Sequence, residues 1–133
     1  MIHHDVQLTA FIKSFMLHLL GEGHGSCFGR LMSREYIEPT SILDIIVEEE
    51  FRLFFNRLNA IVRQRLGEDV GEEKVLLCSM SILGQCLFFR NSWPVISRLL
   101  HKENYTAEEI NEIADHVVCF SMDALAGLSR HQA

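Results

Sequence analysis

At 133 residues the chain is long enough for one domain with its own core, needing neither metal nor disulfide support. Its 48% hydrophobic and 23% charged residues exclude a disordered chain. The net charge of −6, with acids clustered at Glu48–Glu50, Glu68–Asp69, Glu72–Glu73 and Glu108–Glu109, opposes direct contact with a phosphate backbone.

Only two prolines punctuate the chain, which favours long helices over strands joined by frequent turns. A first helix is predicted from near Val6 to Leu20. Leu8, Phe11, Ile12, Phe15, Met16, Leu19 and Leu20 recur on one face, and Gly21 and Gly23 end it. A short second helix, roughly Ser26 to Ile37, carries Phe28, Leu31, Met32 and Tyr36 before Pro39 stops it. Thr40 is a suitable N-cap for a long third helix, about Ser41 to Leu66, closed by Gly67. Its apolar period runs Ile42, Ile45, Ile46, Phe51, Phe54, Phe55, Leu58, Ile61, Val62.

The fourth helix is predicted from Gly71 through Arg90, with Glu72 and Glu73 at its positive end. Val75, Leu76, Leu77, Met80, Ile82, Leu83, Cys86, Leu87, Phe88 and Phe89 point in almost every direction, so this helix must be buried all round. A dimer interface achieves that more naturally than a small monomer, and mid-helix Gly84 would let a second helix approach closely. Trp93 and Pro94 mark a break before a short segment, Val95 to Leu100. Thr106-Ala107-Glu108-Glu109 is a capping box opening a last helix to about Ser129. On it Ile110, Ile113, Val117, Phe120, Ala124 and Leu128 form one stripe, widened by Ala114, Val118, Ser121 and Leu125. The expected fold is an all-α bundle of about five helices plus a short segment, forming a single domain over residues 1–133.

Chemistry-bearing motifs are sparse. No GxSxG, GxxxxGK[ST] or GxGxxG occurs, and GEGHGS (Gly21 to Ser26) reads as a helix connection, so no catalytic residue and no enzyme activity is expected. His18, His24 and Cys27 are the best metal cluster, but HExxH, paired CxxC and ExxH repeats are missing, so neither metal nor cofactor is expected. Cys78 and Cys86 sit among apolar residues and read as core side chains. Val75 to Phe89 is too short for a membrane span and carries Ser79, Ser81 and Gln85. The first residues carry His3, His4 and Asp5 and no basic signal-peptide region, so a cytoplasmic location is expected. Arg34 and Gln85 lie in apolar settings. Each is either a satisfied internal partner or one of the few polar groups of an apolar ligand pocket.

Three stretches carry a family resemblance: GRLMSREYIEPTSILDIIVEE (Gly29 to Glu49), EEKVLLCSMSILGQCLFFRNSWPVISRL (Glu72 to Leu99) and EEINEIADHVVCFSMDALAGL (Glu108 to Leu128). They resemble the C-terminal domain of a subgroup of TetR-family transcriptional regulators, the GQCLFF block with its aromatic-proline break being most specific. Tyr36 and Ser41 depart from the residues usual there. The resemblance implies the ligand-sensing and dimerisation domain of a repressor, with the last two long helices forming a four-helix interface with their copies. DNA would be touched only through an N-terminal helix-turn-helix that this sequence does not supply.

Expected interface residues are Met80, Leu83, Gly84, Leu87, Val117, Phe120, Ser121, Ala124 and Leu128. From face and composition, the expected pocket for an apolar or amphipathic effector comprises Phe15, Leu19, Phe28, Met32, Arg34, Phe55, Leu58, Gln85 and Phe89. The alternatives are a stand-alone helical module that binds another protein, and a small metal-dependent enzyme built on His18, His24 and Cys27.

Overall fold

Among the residues described, every regular element is helical. The computed structural model describes the backbone of residues 2–21 and 27–132, and side-chain environments for residues 6–21 and 30–130. The elements are α1 (Ile2–Leu20), α2 (Cys27–Ile37), α3 (Ser41–Ile46), a π-helical turn (Val47–Phe51), α4 (Arg52–Leu66), α5 (Glu72–Asn91), α6 (Trp93–Leu100) and α7 (Ala107–Gln132). Since α3, the π turn and α4 run on without a break, this is the all-α bundle of five helices and a short segment that the periodicity predicts.

The core forms where apolar stripes of α1, α4, α5 and α7 converge. Leu8, Ile12 and Met16 come from α1, Leu58 and Val62 from α4, Val75, Ile82 and Cys86 from α5, and Ile110, Val117 and Leu125 from α7. Spacings of three and four place each set on one helical face. Helix α1 packs against α7, α4 and α5.

The connections follow from caps. Thr40 accepts the Ile42 N–H at 3.2 Å, opening α3. The fully buried Glu35 carboxylate accepts the Thr40 N–H at 2.8 Å and is bonded by its hydroxyl, tying α2 to α3. Gly67 ends α4 at φ +102°, a conformation closed to side-chain-bearing residues. The Arg63 guanidinium then clamps the following loop, donating to the carbonyls of Gly67 and Val70 and to Glu72. The capping box is reciprocal: Glu109 N–H donates to Thr106 Oγ1 at 3.1 Å, and Thr106 N–H to Glu109 Oε1 at 2.9 Å.

Two details differ from the sequence expectation. The period from Ser41 to Leu66 is interrupted at Val47–Phe51 by the π turn, which winds in extra residue length and rotates everything upstream of it. Ile42 and Ile45 therefore lie exposed instead of sharing the buried face of Leu58 and Val62. Pro94 stands inside the first turn of α6, where its missing N–H costs nothing, and the break falls at Ser92. There α5 and α6 meet at 68°. No single helix among the described residues is long and apolar enough to cross a membrane.

Helix α6 ends on His101, at φ 56°, ψ 50°, the described non-glycine residue with left-handed backbone. Strain at an L-residue there is relieved by glycine, partly offset by the looser unfolded chain. His101→Gly is expected to stabilise the fold by about 0.5 kcal/mol, read as a small rise in urea midpoint at unchanged slope.

Candidate functional site

Two surface features stand apart from the closed core. The first is a groove of about 750 Å³ between α1 and α4. Its floor is made of Phe11 and Phe15, one turn apart on α1, against Phe54 of α4, with Ile61 beside them. The Phe54 ring centroid lies 4.4 Å from each of the other two, stacked at 28° on Phe11 and tilted at 42° to Phe15. All three rings are only half-buried. The walls carry Gln7, Ser14 and His18 from α1, and Arg57 and Gln64 from α4. Among the described residues no carboxylate lines the groove. Its size and its mix of apolar floor and few polar rim groups suit a small organic ligand.

The second feature is an apolar outer face on α5 and α7. Helix α5 carries two opposed stripes. Val75, Cys78, Ser79, Ile82 and Cys86 turn inward, whereas Leu77, Met80, Gly84 and Phe88 turn outward at spacings of three and four. The outward leucine, methionine and phenylalanine are 62%, 56% and 52% exposed, and Phe120 of α7, which lines a groove with Leu77, is 58% exposed. A Cβ built on Gly84 meets nothing within 4 Å, so nothing in the protomer itself requires glycine there. Between the helices, Leu77, Ser81, Gln85, Phe120, Ala124 and Leu128 border a shallow groove of about 370 Å³. Large apolar side chains left exposed in this way are the kind of surface that interaction sites use. Val95 and Leu99 of α6 are exposed as well.

The residues expected at a pocket are scattered by the structure. Phe15 lines the α1–α4 groove. Leu58 and Met32 are buried, Leu19 and Phe89 pack against the core at its margin, Phe55 is half-buried, and Arg34 is exposed. Gln85 instead donates from Nε2 to Ser121 Oγ at 3.0 Å, joining α5 to α7. The side chain of Phe28, and His24 and the side chain of Cys27, lie outside the described residues. Of the residues expected at an interface, Met80, Gly84, Phe120 and Ala124 share the outer face. Leu83, Leu87 and Leu128 sit at its edge, half-buried, while Val117 and Ser121 turn into the protomer. Sequence reasoning missed Leu77 and Phe88 on that face, and Phe11, Phe54 and Arg57 in the groove. The available signals were the 77-80-84-88 spacing and the Phe54–Arg57 spacing of one turn.

Among the described residues no group of three or more His, Cys, Asp or Glu is placed to hold a metal ion. Burial pushes the Cys86 thiol up to about 12 and raises Cys78 too, whereas Cys119 is exposed. Only the thiolate reacts. Iodoacetamide at pH 8 is therefore expected to modify Cys119 in the folded protein, and Cys78 and Cys86 only after denaturation, as read by peptide mass mapping.

One protein-family model, described as the C-terminal domain of the HTH-type transcriptional dual regulator CecR, matches residues 5–127. No match was found among curated proteins or among solved structures.

Proposed function

The chain belongs to the family of CecR C-terminal domains, and from that premise we propose that it is the effector-binding and dimerisation unit of a TetR-type repressor. The observation that carries this reading is the outer face of α5 and α7. Leu77, Met80, Phe88 and Phe120 lie exposed around an open Gly84, an arrangement suited to a second copy related by a two-fold axis. Four helices, two from each copy, would then meet there. DNA recognition in such a regulator belongs to a separate domain, in keeping with the net charge of −6 here.

The α1–α4 groove is the effector site of this reading. A small molecule acts only by binding two conformations with different affinity. Helix α1 forms one wall of the groove and packs on α7 behind it. A ligand that parts α1 from α4 therefore presses on a helix whose opposite side faces the partner. Because packed helices shift as bodies, that pressure would be felt as a change in the angle between protomers.

Sedimentation equilibrium over a wide concentration range tests the reading. A dimer of 30.6 kDa, twice the 15.3 kDa chain, is the expected result. A monomer at every concentration would reassign the outer face to a different protein partner and overturn the dimeric repressor unit.

A further inference from the structure

We propose that the groove between α1 and α4 selects planar aromatic anions, such as a fused-ring carboxylate, with Arg57 taking the anionic group. This rests on the reading of the groove as the effector site and specifies the ligand's class. Three half-buried phenyl rings, Phe54 standing 4.4 Å from Phe11 and from Phe15 across the two helices, line the groove. Flat rings stack on such a floor better than branched aliphatic chains do. The stretch of α1 from Gln7 to His18 that lines one wall is about 16 Å long at helical rise, room for two or three fused rings.

Charge complementarity fixes the rest. In a chain of net charge −6 no Asp or Glu among the described residues lines the groove, yet Arg57 does. Arg57 follows Phe54 by three residues, one turn along the same face of α4, and both line the groove. Its neighbours on the chain are committed elsewhere: Arg52 bonds Glu48 at 2.8 Å and Arg63 bonds Glu72 at 2.8 Å. Arg57 has no ion-pair partner among the described residues. A guanidinium both pairs with a carboxylate through two N–H groups and stacks on aromatic planes, and an aromatic carboxylate uses both properties.

Isothermal titration of the chain with 2-naphthoate, 2-naphthylmethanol and 2-naphthylmethylammonium tests this. Naphthoate is expected to bind at least tenfold tighter than the alcohol, with the ammonium weakest. Arg57→Gln, at an exposed position, should cost naphthoate at least tenfold and leave the alcohol within twofold. Phe54→Ala should weaken both. Ala60→Phe, which fills the groove from an exposed site, should do the same should the first variant fold poorly. Equal affinities for acid and alcohol that still depend on Phe54 would overturn the anion preference while leaving the effector groove in place. Failure of all three compounds to bind, or binding indifferent to both groove variants, would overturn the two together. A change of sedimenting mass on Ala60→Phe would assign the groove to a second copy of the chain and likewise overturn the proposal.

Discussion

Phe120→Asp is expected to shift the chain from 30.6 kDa to 15.3 kDa in sedimentation equilibrium at micromolar concentration, with helical content unchanged. The side chain is 58% exposed in the protomer, so an aspartate there is solvated and the fold does not oppose it. In a two-fold interface the same carboxylate appears twice, desolvated and unpaired among Leu77, Met80 and Phe88 of either copy. An uncompensated buried charge costs roughly 3–5 kcal/mol, which weakens association about a thousandfold. Gly84→Leu should act in the same direction. The protomer has open space at that position, so any loss of dimer reports the approach of another chain and not misfolding. Asn56→Ala, exposed on α4 and so off the α5–α7 face, is the control that should leave the mass at 30.6 kDa. An unchanged dimer in both Phe120→Asp and Gly84→Leu would place the interface elsewhere.

Leu58→Ala is expected to lower stability by about 3 kcal/mol, a fall in melting temperature of about 10 °C. Leu58 is fully buried among Ile12, Met16, Val62, Cys86 and Val117, within the cluster where α1, α4, α5 and α7 meet. The surrounding side chains belong to four different helices and cannot all move inward at once, so part of the vacated volume remains as a cavity. Thermal denaturation at a fixed protein concentration measures the effect. A loss below 1 kcal/mol, accompanied by weaker binding of an identified effector, would instead make Leu58 a pocket wall.

The contrast between these two residues shows how far the sequence could be read. Helix positions were legible because their causes are local: Thr40 and Thr106 cap, Gly67 terminates, and spacings of three and four reveal which residues share a face. The capping box at Thr106 needed no tertiary information at all. The two stripes of α5 were harder. A helix apolar on both sides yields no preferred direction, so periodicity could group Met80 with Gly84 but could not tell which stripe met the protomer's own core. On α7 the stripe was wide enough that Val117 and Ser121, which face inward, were grouped with Phe120 and Ala124, which face out. The groove was hidden for another reason. Phe11, Phe15 and Phe54 occupy core-like positions, and their half exposure depends on how far α1 stands from α4. That distance is set by every contact around them, and no spacing in the chain encodes it.

The π turn at Val47–Phe51 bears on how this chain can tolerate gaining or losing residues. A deletion inside an ordinary helix turns everything beyond it by about 100° and drags buried side chains out of register. Here the upstream segment, Ser41–Ile46, contains no buried residue, while the downstream segment anchors Leu58, Val62 and Leu66 in the core. Removing one residue from the wide turn would tighten it to α geometry. The rotation would fall first on Ser41–Ile46 and, through the Glu35–Thr40 bonds, on α2 with its buried Met32 and Glu35. Length variation at this point would therefore spare the four-helix core and be felt in the exposed Ile42 and Ile45 and in the link between α2 and α3.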